Sequence, residues 1–346
     1  MIETFFLSAL ALILVSLFCW AFRKLPGESW QIMAAVPVHK GTDGQWSGLN
    51  LTWYGFFSAC AYVMAAAVYL ILMASAGIER PAAFSVLAAV LLVCAPSAKI
   101  LARIIEHKSY TFTVGGAAFV GILIAPFVTR FIGAVTGWAL PVLPVMAAIA
   151  VAYAFGEGLG RLACVSFGCC YGRPLSGLSP AARCLLGYWA FTFTGKTKKI
   201  AYESGLDGQK VVPVQAFSAV INSTAGLAGT VLFLLSQFGW AFLLAVVITQ
   251  AWRFFSEFLR ADFRGHTRIS AYQKMNVAAV LYAVALAALA PGAVLSAVDL
   301  EAGLQTLWDP AMILFLQCLW VIFFLYTGRS KVTGSTLDFF VRRDRI

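Results

Sequence analysis

The stretch ALPVLPVMAAIAVAYAFGEGLGRLACVSFGCCYGR, residues 139–173, decides the fold class of this chain. Its first part, residues 139–157, is apolar, aromatic or small until Glu157. About 20 such residues are enough for a helix to cross the hydrocarbon core of a bilayer. Its second part combines glycines, charged residues and cysteines. The stretch therefore predicts a membrane-spanning helix followed by a segment that carries candidate functional groups.

The rest of the chain has the same character. Of its 346 residues, 61% are hydrophobic and only 12% are charged, and the mean hydropathy is +0.85. A soluble domain carries about a quarter charged residues, so a soluble enzyme is excluded, as is a disordered chain. The sequence predicts an all-α polytopic membrane protein, a bundle of about nine transmembrane helices. The predicted spans are residues 4–22, 51–76, 83–104, 113–133, 139–157, 213–236, 239–259, 275–297 and 310–327.

The first span is interpreted as a retained anchor rather than a cleaved secretion signal. Glu3 stands where a signal has a basic start, Arg23 and Lys24 follow the apolar run, and no small-residue cleavage pattern is present.

Basic residues alternate sharply between the predicted loops. One side of the membrane receives 23 of the 25 Lys and Arg, and only Arg80 and Arg130 fall on the other. The positive-inside rule makes the rich side cytoplasmic, with the N-terminus outside. A site for an anionic lipid also needs basic residues, so the bias has a second explanation.

The longest stretch between spans predicts a small extramembrane head. The expected organisation is an extra N-terminal span and loop, the first half of a transmembrane core, the head, the second half of the core, and an extra C-terminal span with a basic tail. These five parts are residues 1–50, 51–157, 158–212, 213–297 and 298–346.

Charged residues near the end of one span form a first candidate site. In AWRFFSEFLRADFRG, Arg253, Glu257 and Arg260 are spaced by four and three residues and share one face of a helix. Glu257 can neutralise one arginine while the other guanidinium binds a phosphate or carboxylate. The alternative is a helix end whose arginines reach into lipid headgroups.

A second group lies in GEGLGRLACVSFGCCYGRP. Glu157 and Arg161 are four residues apart, and the surrounding glycines favour either an anion cradle or a close helix contact. The C-x4-C-C spacing of Cys164, Cys169 and Cys170 matches no zinc pattern. We therefore expect no metal and no cofactor.

Three more groups fall on the same predicted side of the membrane. They are His107 and Lys108 followed by Gly115 and Gly116, Trp53 and Tyr54 at a span entrance, and Pro213 with Gln215 at another. Their coincidence on one side favours a single anion-binding site there.

These motifs resemble, in chain order, those of bacterial prolipoprotein diacylglyceryl transferases. The matching segments are WYG at 53–55, LAR at 101–103, GGAAFVG at 115–121, GRLACVSFGCCYGR at 160–173, VPVQAFS at 212–218, RFFSEFLRADF at 253–263 and SAYQ at 270–273. The resemblance covers most of residues 51–297, which leaves one extra span at each end of a seven-helix family core.

The resemblance implies an activity and its residues. It implies a transferase of the bacterial inner membrane that moves diacylglyceryl from an anionic glycerophospholipid, phosphatidylglycerol, to the lipobox cysteine of a prolipoprotein. Arg161 and Arg253 would hold the donor phosphate and Glu257 would orient them. The implied partners are a phospholipid donor, membrane lipids and a protein or small-molecule acceptor, with no nucleic acid. The expected substrate-binding residues are Tyr54, Arg103, Gly115, Gly116, Gly172, Gln215 and Arg260.

Departures from the family pattern concern the acceptor. Val120 replaces the histidine of G-G-x-S-F-H-G, Cys164 and Cys169 replace the asparagine and glutamate of the glycine-rich signature, and Ser218 replaces a later glutamate. A catalytic base is therefore unassigned. Two alternatives stay open: a lipid- or glycan-modifying transferase with another acceptor, and a transporter or flippase for an anionic lipid.

Overall fold

A computed structural model describes residues 1–106, 114–262, 269–290 and 297–346. Within these ranges nine helices are long and apolar enough to cross a membrane, which confirms the predicted polytopic all-α class. They are α1 (Ile2–Lys24), α2 (Trp53–Ser75), α3 (Arg80–Glu106), α4 (Val114–Thr136), α5 (Val142–Phe167), α8 (Val214–Leu234), α9 (Phe238–Leu259), α10 (Ala271–Leu289) and α12 (Pro310–Gly328), while α6 (Pro180–Gly187), α7 (Lys199–Ser204) and α11 (Leu300–Leu307) are short.

Helix α5 is the centre of the bundle and packs against α2, α8 and α9. Its alanines and glycines let neighbouring backbones approach closely, which is how helices associate in lipid. A Cβ atom at Gly158 would lie 3.0 Å from the Ala219 carbonyl oxygen of α8. The helix ends at Gly168, which adopts φ 72° and donates its N–H to Cys164 O at 2.9 Å. Glycine takes this left-handed conformation at no steric cost.

Helix α5 is longer than the sequence predicted. The predicted span stops at residue 157, where charge begins, but the helix continues through Phe167. Ten residues assigned to the head are therefore helical, because loss of apolar character marks the edge of the lipid and not the end of a helix. As a result Glu157, Arg161 and Cys164 lie along one side of the same helix.

A three-stranded antiparallel sheet was not predicted. It has the order β1 (Ile32–Lys40), β2 (Trp46–Thr52) and β5 (Arg329–Leu337). It therefore pairs the loop after the first span with the C-terminal tail, and no strand was predicted in either. Gly55 of α2 meets Gly328 of α12 beside it, and Thr52 donates to Gly328 O at 3.0 Å. The two terminal extensions are thus joined to each other and to the core.

The head follows Gly168 and contains α6, α7 and a two-stranded ribbon of β3 (Phe191–Thr192) and β4 (Lys210–Val211). Its inner side is apolar, and Phe193 is fully buried. Backbone hydrogen bonds tie it to the end of α9: Arg173 N donates to Leu259 O at 2.9 Å and Ala261 N to Tyr171 O at 3.1 Å. The head therefore fixes the ends of α5, α8 and α9 relative to one another.

Candidate active site

Two arginines from different helices meet on one carboxylate. Arg161 of α5 and Arg253 of α9 both contact the same oxygen, Oε1 of Glu157, through their Nη2 atoms. The Arg253 distance is 2.8 Å. The Glu157 side chain is 4% exposed and each arginine side chain is 14% exposed. Glu157 and Arg161 are one turn apart on α5, whereas Arg253 reaches this point only through the packing of α5 against α9.

The three side chains carry one net positive charge, because a single carboxylate is shared by two guanidinium groups. Arg161 Nε and Arg253 Nε are buried and have no hydrogen-bond partner among the described residues. A buried charge and buried donors without partners are costly in a low-dielectric interior. The arrangement is therefore suited to bind an anion with oxygen acceptors.

Glu257 does not take the expected part in this group. Its Oε2 accepts a hydrogen bond from Ser270 Oγ, and Ser270 is the N-cap of α10. Gln273 completes a capping box, since its side chain accepts from Ser270 N at 2.9 Å. Glu257 thus links the end of α9 to the start of α10. The prediction that it orients the arginines is corrected: in the described part of the chain the carboxylate between them is that of Glu157.

Arg260 lies just beyond α9 and forms a bidentate ion pair with Asp262, with distances of 2.7 and 2.6 Å. Its charge is therefore balanced locally, unlike that of the Arg161–Arg253 pair. Its backbone pairs with Gly172 in an isolated bridge. A Cβ atom at Gly172 would lie 2.7 Å from Val212 Cβ. Close packing at the junction of head and core thus accounts for a glycine at position 172.

Tyr54 and Gln215 border the loop that follows α5. The Tyr54 ring packs edge-on against Phe167, with ring centroids 5.7 Å apart. The Gln215 side chain is 1% exposed and donates from Nε2 to Cys169 O at 2.7 Å. Both residues therefore help to hold the backbone that carries the cysteines.

Cys164, Cys169 and Cys170 come together in this loop. Their three sulfur atoms lie within 4.8 Å of one another. The pKa of the Cys170 thiol is held well below its usual range, first by hydrogen bonds with the Cys164 and Cys169 thiols and further by the nearby Arg260 and Arg161. The sequence spacing did not indicate this cluster, because the left-handed residues Gly168 and Cys170 turn the chain back on itself.

Three further predicted residues lie near the end of α3 and at the start of α4. Arg103 is exposed on the last turn of α3, and Gly115 and Gly116 are buried in the first turn of α4. His107 and Lys108 fall outside the described residues. The substrate-binding role of Arg103, Gly115 and Gly116 stays a prediction.

Sequence reasoning missed a set of buried polar groups inside the bundle. Asn222 of α8 is fully buried, and neither atom of its side-chain amide has a partner within the described ranges. The Tyr153 hydroxyl of α5 and Gln250 Oε1 of α9 are also buried without a hydrogen-bond partner within those ranges. The sequence contained a signal for them, because each lies one helical turn from another polar or charged residue. Asn222 is one turn from Ser218, Tyr153 from Glu157, and Gln250 from Arg253.

The nine apolar helices of the described residues and the buried Arg161–Glu157–Arg253 group define a polytopic membrane protein with a site suited to an anion. A sequence model of the prolipoprotein diacylglyceryl transferase family matches residues 45–290, more than two thirds of the chain. The chain belongs to this family, whose members are membrane transferases that move diacylglyceryl to prolipoproteins. A comparison with curated proteins finds no match. The family match excludes α1, β1, α11, α12 and β5, in agreement with the predicted extra span at each end.

Proposed function

We propose that this protein transfers diacylglyceryl from phosphatidylglycerol to the cysteine thiol of a prolipoprotein in a bacterial inner membrane. The observation that carries the proposal is the sharing of Glu157 by Arg161 and Arg253, which leaves one buried positive charge. A phosphodiester carries one negative charge and several oxygen acceptors. The phosphate of the donor lipid thus supplies the negative charge and the hydrogen-bond acceptors that the two arginines lack.

The donor phosphate binds to the donors of the two guanidinium groups that Glu157 leaves free. Each group donates from Nη2 to Glu157, and its Nε donor has no partner within the described ranges. A guanidinium can donate two parallel hydrogen bonds to one phosphate, which a lysine ammonium cannot match. Glu157 fixes both rotamers before the lipid arrives, so little side-chain entropy is lost on binding.

The same arginines assist departure of the leaving group. As the acceptor sulfur bonds to the glyceryl carbon, the carbon–oxygen bond breaks and its electron pair leaves with glycerol phosphate. The developing second negative charge is stabilised by donors that are already in place and largely shielded from water. The family histidine is replaced by Val120, so deprotonation of the acceptor needs other groups.

The proposal is tested with the full-length protein in liposomes that contain phosphatidylglycerol labelled in its diacylglyceryl part, together with a lipobox peptide. Arg161→Ala and Arg253→Ala each lower transfer by about 100-fold or more, the usual effect of removing a transition-state donor. Lysine at either position restores little activity. Arg80→Ala is the matched control, because Arg80 lies at the opposite end of the bundle, where it forms an exposed ion pair with Asp309.

Near-normal transfer by both alanine variants overturns the anion-site mechanism. Label that appears on a lipid or glycan while the peptide stays unmodified overturns the thiol acceptor. Movement of intact donor between leaflets without a covalent product assigns the protein to lipid transport instead.

A further inference from the structure

The loop after α5 places three thiols where they can share one ion. Cys164 belongs to the last turn of α5, and Cys169 and Cys170 follow the left-handed Gly168. Cys169 N donates to Cys164 O at 3.1 Å, and the Gln215 side chain donates from Nε2 to Cys169 O. Cys170 itself adopts φ 56°, a conformation uncommon for residues other than glycine. The backbone is therefore fixed in the form that brings the sulfur atoms together.

The spacing of the sulfur atoms fits a thiophilic metal ion. Zinc–sulfur bonds are about 2.3 Å long, which puts two sulfur ligands of a tetrahedral site about 3.8 Å apart. The three sulfur atoms here are within 4.8 Å of one another, so small side-chain rotations bring all three to one ion. Soft thiolate ligands select zinc over the hard cations magnesium and calcium.

The charges around the cluster also favour metal-bound thiolates. Arg161, Lys199 and Arg260 all lie close enough to interact electrostatically with Cys170. Three thiolates on a Zn²⁺ ion carry one net negative charge, which cationic neighbours stabilise in a partly buried site. Arg161 also contacts Glu157. The cluster and the arginine pair are thus adjacent parts of one site.

We propose that Cys164, Cys169 and Cys170 bind Zn²⁺, and that its fourth position receives the acceptor thiol as a thiolate. The metal site stands on the cysteine geometry, and its role in acceptor activation rests on the proposed function. Zinc sites with three protein ligands keep a fourth position for water or substrate. Cys164 and Cys169 stand where the family has asparagine and glutamate, and the ion takes over the activation for which Val120 offers no base.

The acceptor thiol displaces zinc-bound water and releases its proton to solvent, since a coordinated thiol is deprotonated. Its sulfur then forms the bond to the glyceryl carbon as the carbon–oxygen bond to phosphate breaks. Glycerol phosphate leaves with the electron pair, and the neutral thioether dissociates from zinc.

Metal binding is measured on the full-length protein in detergent, with reductant present and no lipid or peptide. After loading with Zn²⁺ and removal of free ion, elemental analysis gives one zinc per wild-type chain. Cys164→Ser, Cys169→Ser and Cys170→Ser each abolish stoichiometric binding. Cys60→Ser and Cys318→Ser are the matched controls and retain it, because Cys60 and Cys318 lie on α2 and α12, away from the loop.

A second measurement requires no substitution. Cobalt(II) replaces zinc in the wild-type protein and shows a thiolate-to-metal charge-transfer band, which the three serine variants lack. Addition of a cysteine peptide strengthens this band as a fourth sulfur binds, while the same peptide with serine leaves it unchanged. Absence of the band in wild-type protein, or zinc binding that survives all three substitutions, overturns the metal site.

The two proposals fail differently. A protein that binds zinc and the cysteine peptide but transfers no diacylglyceryl contradicts the proposed function and leaves the metal site standing. A metal-free protein that transfers diacylglyceryl as fast as the zinc-loaded form overturns zinc activation and leaves the transferase proposal intact.

Discussion

Lys198 is a fully buried cation of the head, and it donates hydrogen bonds to carbonyl groups at the ends of two helices. Its Nζ donates to Leu25 O at 3.1 Å, just past α1, and to Ser166 O at 2.6 Å, in the last turn of α5. Carbonyls at helix C-termini lack intrahelical partners and favour a positive charge. Burial nevertheless lowers the pKa of Lys198 to about 8, and Glu28 opposes this only in part.

This pKa predicts a pH dependence of stability. The unfolded lysine, with its ordinary pKa of 10.5, binds more protons than the folded one between about pH 8 and 10.5. Stability therefore rises with pH across this window, by an amount on the order of 3 kcal/mol. Thermal unfolding in detergent at about pH 7 and about pH 10 measures it. Because thiols and phenols titrate in this range too, the relevant quantity is the change in unfolding temperature with pH in the wild type minus the same change in Lys198→Met. Parallel curves of unfolding temperature against pH for the two proteins contradict the expectation.

At the residue scale the sequence was informative about which residues carry charge in the site but not about their pairing. The four-residue spacing of Glu157 and Arg161 is compatible with their contact, which forms because α5 continues past residue 157 and contains both. The Arg253–Glu157 contact joins residues 96 positions apart and depends on how α5 packs against α9. The same limit hid the cysteine cluster, whose geometry is set by backbone angles in the loop.

At the scale of single elements, the contact between α5 and α8 depends on Gly158. Ala at this position would place its Cβ 3.0 Å from both Ala219 O and Ser223 N, which are backbone atoms that move only if the helices separate. We expect Gly158→Ala to destabilise the protein by about 1–3 kcal/mol, as overpacking usually does. A lowered midpoint of thermal unfolding in detergent measures this.

Gly160→Ala is the control on the same helix. Its Cβ would meet Ala61 Cβ at 3.6 Å, an ordinary contact. Alanine is also favoured over glycine within a helix, so this variant keeps or raises the unfolding temperature. Equal losses in the two variants would contradict the assignment of Gly158 to a close helix contact.

Elements were predicted unevenly, and for a physical reason. A span of about 20 apolar residues is a strong signal because lipid excludes polar side chains along its whole length. The sheet of β1, β2 and β5 gave no such signal, since its strands are short and partly exposed and two of them are separated from the third by most of the chain. Element ends near water, such as that of α5, also depend on capping more than on hydropathy.

At the scale of the whole molecule, the sheet constrains topology. Residues 46–51 pair with residues 329–337, so the loop after α1 and the C-terminal tail lie on the same side of the membrane. Contacts of Lys198 and Thr194 with residues 25 and 26 place the head on that side as well. The arginine pair and the cysteine cluster are at this end of the bundle.

The side on which this end lies decides the acceptor. A prolipoprotein presents its lipobox cysteine after translocation, so the proposed function requires a periplasmic head. The positive-inside bias gives the opposite expectation, but the charges of Arg161, Arg253, Arg260 and Lys198 are engaged in internal contacts and act in the fold.

We expect Cys184, exposed on α6, to react with a membrane-impermeant maleimide in intact spheroplasts. The control is Cys184→Ser combined with Ala139→Cys, at an exposed position between α4 and α5, which should react only after lysis. The reverse pattern would place the head in the cytoplasm, where no translocated prolipoprotein can reach it, and would restrict the acceptor to a cytoplasmic thiol or a lipid.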